Sequence, residues 1–208
     1  MKINWYGQSC FKIQNKEEVV LIDPHRPRKQ GLRGPNFQST LLLLTNPEDK
    51  DSAKKDAPES FLIYHPGEYE VRGIFIYATE YKRKNNKNII YQIEIEKIKY
   101  GLLGEINQPL NSQELEGLDG IDVLFVPVGG NKVLNKSQAV EVVNEIEPKI
   151  VVPCCYHLPG IKEKLDSLDG FLKEFGAKNP EKVKTLSLKE KDLLKEETRV
   201  IVLEIATS

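Results

Sequence analysis

With 208 residues, 39% of them hydrophobic and 29% charged, the chain is long enough for one large domain and too apolar for wholesale disorder. Its formal net charge of -1, spread over interleaved Lys, Arg, Asp and Glu, removes any general electrostatic reason to bind nucleic acid or an anionic membrane. Cys10 and the adjacent Cys154 and Cys155 are too few and too ill-placed for a disulfide framework, and no stretch approaches ~18 consecutive apolar residues, so a soluble cytoplasmic protein is expected.

In chain order, residues 2–6, 10–14 and 18–23 read as a meander of three short strands, with a turn at Gly7, Gln8 and Ser9. Residues 24–37 are rich in Pro, Gly, Lys and Arg without a period and read as a loop, in which His25 is expected to be a solvated turn residue. The run LLLLT at 41–45 suits a buried strand; Asn46-Pro47 stops it and opens a polar cluster of Glu48, Asp49, Lys50 and Asp51. A brief helix within 52–60 precedes a strand at 61–64 and a Pro66-Gly67 turn.

Strands follow at Val71 and at 74–78, 89–94 and 98–103, with the KRKNNK segment at 82–87 as a solvated basic hairpin tip. A short helix at 112–118 is expected to be capped by Ser112. A strand at 122–126 precedes Pro127, Gly129 and Gly130. Ser137 opens an amphipathic helix carrying Ala139, Val140, Val143 and Ile146, which Pro148 stops. A strand at 149–153, a helix at 165–175 closed by Gly176, and strands at 183–188 and 199–205 complete the chain. No composition break divides it, so a single α/β domain over residues 1–208 is expected, with two sheets covered by helices on the outside.

Eight blocks occur in a fixed order: WYGQSCFKI (5–13), VVLIDP (19–24), LLLLTNPEDKD (41–51), HPGEYEVRGIFI (65–76), YGLLGEI (100–106), DVLFVPVGG (122–130), EPKIVVP (147–153) and CCYHLPG (154–160). Together they resemble the metallo-β-lactamase superfamily, in particular its small hydrolase-like branch that includes ascorbate-6-phosphate lactonases. The resemblance covers almost the whole chain. It implies a metallo-β-lactamase-like four-layer αβ/βα sandwich with a site at one edge between the sheets.

The family's cofactor is zinc, held by an H-x-H-x-D-H motif and two later ligands, which makes a bound water acidic enough to supply hydroxide for hydrolysis. Carried onto this chain, the motif falls on Asn46, Glu48, Lys50 and Asp51. The later histidines fall on Leu102 and Cys155, with Glu105 just past the first and His157 two residues past the second; Gln8 stands for a histidine of the opening block. The resemblance therefore implies a former metal pocket formed by Asn46, Glu48, Lys50, Asp51, Leu102, Glu105, Cys155 and His157, with no metal, no cofactor and no assigned catalytic residue.

A pseudoenzyme that binds an unidentified small molecule or protein is expected, with no nucleic-acid or membrane partner. A hydrolase of esters, lactones or phosphoesters with a relocated metal site is the alternative. Lys50 is expected to replace the cation among Glu48, Asp51 and Glu105, an attraction of up to roughly 4 kcal/mol per pair at ~4 Å before desolvation. A Cys155–His157 thiolate–imidazole pair is the weaker chemical option, because residues two apart on an extended segment face opposite ways. Edge strands such as 74–78 could pair between copies into a homo-oligomer.

Overall fold

A computed structural model describes residues 1–36, 38–194 and 197–206. Phe37, the last residue of the expected 24–37 loop, and Lys195 and Glu196, inside the charged turn before the final strand, lie outside the described residues.

The amino-terminal sheet contains β1 (Lys2–Trp5), β2 (Phe11–Gln14), β3 (Val19–Ile22), β4 (Leu41–Leu43) and β5 (Phe61–Ile63). β1, β2 and β3 are antiparallel neighbours, and β3, β4 and β5 run parallel. Between β3 and β4 the expected loop holds one helical turn, α1 (Arg26–Lys29); between β4 and β5 lies α2 (Lys50–Asp56). β4 explains the leucine run. Leu41 and Leu43 face the main core, whereas Leu42 and Leu44 pack under Ala53 and Ala57 of the α2 segment, so both faces of the strand are apolar.

The second sheet begins with an antiparallel set: β6 (Gly67–Val71), β7 (Ile74–Arg83), β8 (Asn86–Ile95) and β9 (Ile98–Leu102). It continues in parallel through β10 (Val123–Pro127) and β11 (Ile150–Cys154). α3 (Ser112–Glu116) packs on β7 and α4 (Lys136–Ile146) on β10. Beyond α5 (Leu168–Phe175), the expected 183–188 strand divides: β12 (Glu181–Val183) joins β14 (Arg199–Leu203) in the second sheet, and β13 (Leu186–Ser187) pairs with β1 in the first.

The two sheets share one apolar core. Phe11 of β2 meets Phe125 of β10 at a 4.4 Å ring separation, and Tyr91 of β8 donates its hydroxyl to Leu44 O at 2.7 Å across the layers. Helix starts shift by one residue from expectation. Asn111, not Ser112, caps α3, and α4 opens at Lys136, not Ser137, with Asn135 as its cap, each cap in a reciprocal capping box with Glu114 or Gln138. Gly176 closes α5 in the left-handed region, as expected.

Candidate functional site

The segments leaving the carboxyl ends of β3, β4, β9, β10 and β11 converge at one edge of the sandwich, the usual place for a site where parallel strands end. Asp23, fully buried just after β3 at φ +45°, organises the junction. Its carboxylate accepts from Thr45 N at 2.9 Å and Thr45 Oγ1 at 2.6 Å, locking the end of β4. Gly104 then lies so close to Thr45 that a Cβ would sit 2.5 Å from the threonine Cβ, at φ +64° besides. Only glycine lets the chain pass and deliver Glu105. Likewise a Cβ on Gly129, after β10, would meet Cys155 O at 2.1 Å.

α1 supplies what the sequence reading missed. Arg26, whose side chain is 13% exposed, pairs through Nη2 with Glu105 Oε2, and its Nη1 lies 3.8 Å from Asp49 Oδ2. Lys29 Nζ pairs with Asp49 Oδ1, and His25 Nε2 lies 2.7 Å from Asp49 Oδ2. His25 is therefore buried against a carboxylate and is not the solvated turn residue expected. Asp49 is the buried acid of the 46–51 cluster. Burial alone would raise its carboxyl, but the His25 and Lys29 contacts and the nearby Arg26 charge prevail and hold it well below the usual carboxylate range.

The expected pocket residues separate. Asn46, Glu48 and Glu105 line a cleft of about 700 Å³ together with Arg26. Lys50 is exposed and lies 5.8 Å from the Tyr64 ring centroid, so it does not supply the counter-charge; Arg26 does. The physical reason is local. Asn46 caps the turn at Pro47–Asp49 by accepting from Glu48 N at 3.0 Å, which turns Asp49 inward and leaves Lys50 and Asp51 at the solvent side of α2. Leu102 is buried within β9. Cys155 is fully buried at φ +51°, and its thiol is pushed well above its ordinary range, first by a hydrogen bond with Cys154 and then by burial. His157 is exposed, so no Cys155–His157 pair forms.

The far wall of the cleft comes from the 82–87 segment. It is a hairpin tip with Lys82, Lys84, Asn85 and Lys87 exposed, as expected, and Lys84, Asn85, Asn86, Lys87 and Asn88 also line the cleft. Asn86 Nδ2 donates to Glu105 O at 2.9 Å, and Arg83 holds the buried Glu114 through bonds of 2.9 and 2.8 Å. These contacts tie the tip down. The signal available in the sequence was the asparagine content of the tip and of Asn107 and Asn131, which also line the cleft.

The residues present do not fit a zinc centre. Among the described residues no three His, Cys, Asp or Glu side chains gather in a metal-holding group. A partly buried guanidinium engages Glu105, Leu102 offers no donor, and the Cys155 thiol is held well above its ordinary range.

A family model described as the beta-lactamase superfamily domain matches residues 2–155. A UPF0173 protein of Pyrococcus abyssi is 26% identical over 84% of this chain and 90% of its own. A UPF0173 metal-dependent hydrolase of Thermoplasma acidophilum is 22% identical over 76% and 84%. Among solved structures, one described as a proposed Zn-dependent hydrolase of the metallo-β-lactamase superfamily from Thermotoga maritima superposes with a TM-score of 0.83. It is 30% identical and covers 97% of both chains. Igni18, a metallo hydrolase of Ignicoccus hospitalis, gives 0.65 at 16% identity over 99% and 96%, a likeness of fold.

Proposed function

The chain belongs to the metallo-β-lactamase superfamily, and we propose that within it this protein is a non-catalytic, ligand-binding member whose metal centre has been replaced by an ion-pair network around Arg26. The observation that carries this reading is the pairing of the Arg26 guanidinium with Glu105, with Asp49 beside it. In zinc hydrolases of this fold the metal polarises the substrate and generates hydroxide near neutral pH. A guanidinium keeps the positive charge but has no empty coordination position, stays protonated, and can only donate hydrogen bonds. The charge that holds the strand ends together thus survives, and the chemistry that activates water does not.

The test is turnover of a p-nitrophenyl ester and of bis(p-nitrophenyl) phosphate with added zinc or manganese. The expected result is a rate equal to buffer plus metal. Saturable turnover by the wild-type protein would contradict the proposal. It would favour the second reading, hydrolysis of an ester, lactone or phosphoester with a relocated metal, which rests on the names carried by the Thermotoga and Thermoplasma relatives.

A further inference from the structure

The cleft beside Arg26 has a volume within the range of small-molecule sites. Its hydrogen-bonding groups fall into committed and uncommitted sets, and the charges left without an ion pair lean positive. Asn46 spends its Oδ1 on the Glu48 N–H, which fixes the amide orientation and leaves Nδ2 without a protein acceptor among the described residues. Asn107 spends its Oδ1 on the Tyr81 hydroxyl at 3.1 Å and likewise keeps its NH2. Arg26 Nε is buried without a partner.

Charge is similarly sorted. Lys132 is neutralised by Glu163 at 3.1 Å, and Arg26 by Glu105. Lys84 and Lys87, on the hairpin wall, have no ion pair among the described residues. Facing these spare donors are the Glu48 carboxylate and Asn131 Oδ1, whose own amide NH2 is held by Lys164 O at 2.7 Å. Among the described residues two ammonium groups without an ion pair, Lys84 and Lys87, thus stand against one such carboxylate, Glu48, while Asn85 offers an NH2 and an oxygen alike and Asn88, Glu105 and Glu163 each keep one acceptor oxygen.

We infer that this cleft binds a small organic oxyanion, held between the Lys84–Lys87 hairpin wall and the Asn46 and Asn107 amides. The inference deepens the proposed function and rests on the metal-free reading of the site. A ligand rich in acceptor oxygens would satisfy donors that the fold leaves open, and charge-assisted bonds to lysine are the stronger kind. Glu48, at the same wall as Asn46, disfavours a ligand that packs negative charge uniformly around its surface and fits one whose anionic group is local.

The experiment is isothermal titration of zinc-free protein with pyrophosphate and, separately, with citrate, which distinguishes a phosphoryl from a carboxyl anion. The metal content of each sample is measured alongside. Saturable binding of at least one probe is expected. The Lys84→Ala/Lys87→Ala variant should weaken it by roughly a hundredfold, about tenfold for each charge-assisted contact. Lys54→Ala/Lys55→Ala, on the exposed side of α2, should leave it unchanged. The lysines of the hairpin pair are exposed, so the variant should melt as wild type does.

No binding of either probe up to about 10 mM, tenfold above a weak Kd of roughly 1 mM, would overturn the inference and leave the metal-free reading standing. Equal affinity in wild type and the hairpin variant would overturn it too. So would tighter, steeply salt-dependent binding of a single-stranded RNA, the mark of a nucleic-acid face. Binding that arises only after zinc loading would overturn both the inference and the metal-free reading.

Discussion

At the scale of single residues, Arg26 and Asp49 join the segments that meet at the site. Arg26→Ala leaves Glu105 and Asp49 without their shared cation at a site that is mostly buried, a change worth about 3 kcal/mol of stability. For a chain of this size that corresponds to a melting temperature lower by roughly 6–12 °C. If the guanidinium replaces a metal charge, added divalent cation should recover more of the loss in the variant than it adds to wild type; equal effects on both would contradict the replacement. Asp49→Asn should cost a similar amount at neutral pH. The acid limb has a definite sign. The Asp49 carboxyl is depressed in the folded chain, so the unfolded chain takes up its proton first as pH falls. Its contribution is complete above the ordinary carboxylate value of about 4 and is lost below it. Thermal melts from pH 7 to 3 should therefore fall more steeply for wild type than for Asp49→Asn, and parallel curves would argue against the pairing. Cys155 is buried with a raised thiol, as Cys10 and Cys154 are also buried, so iodoacetamide should label none of them until the protein is unfolded. Rapid labelling of one thiol in the native state would mean that a reactive cysteine is exposed.

At the scale of elements, what was legible followed from patterning. The buried runs at β4, β10 and β11 and the amphipathic spacing of α4 are set by which faces are covered, and apolar residues report that directly. What was not legible depends on contacts distant in sequence. The segment around α1 has no period and reads as loop, yet it contributes His25, Arg26 and Lys29, because its partners Asp49 and Glu105 lie 20 or more residues away. The same holds for the β7–β8 tip. KRKNNK has the composition of a solvated turn, and only Arg83–Glu114 and Asn86–Glu105 turn it into a wall. The split of 183–188 between two sheets likewise needs the partner strands β1 and β14 to be known. Element packing makes its own prediction at Gly104. Gly104→Ala combines an unfavourable positive φ with a Cβ clash against Thr45, so a loss of about 2 kcal/mol or more is expected in chemical denaturation. A loss below about 0.5 kcal/mol, the scale of an ordinary surface substitution, would show that the Glu105 loop does not depend on that close approach.

At the scale of the whole molecule, the fold follows from the eight blocks that occur in order along the chain, and the two sheets with their flanking helices agree with them. The function does not follow from the fold, since one architecture serves many sites. Asn46, Glu48, Leu102 and Cys155 stand at positions that the family resemblance assigns to metal ligands, and this much the sequence alone reveals. That an arginine from α1, and not Lys50, supplies the cation is a matter of geometry, since Asn46 capping turns Asp49 inward and Lys50 outward. In the proposed function, fixed protein charge at the edge of a metallo-β-lactamase fold does structural work that a metal would otherwise do. The most direct measurement is metal content by elemental analysis, on protein purified without chelator and again after incubation with zinc or manganese. Less than about a tenth of an equivalent is expected in both samples, because among the described residues no three His, Cys, Asp or Glu side chains gather in one group and Glu105 is engaged by Arg26. One or two firmly held equivalents would contradict the proposed function and return Glu48, Asp51, Glu105 and Cys155 or His157 to consideration as ligands.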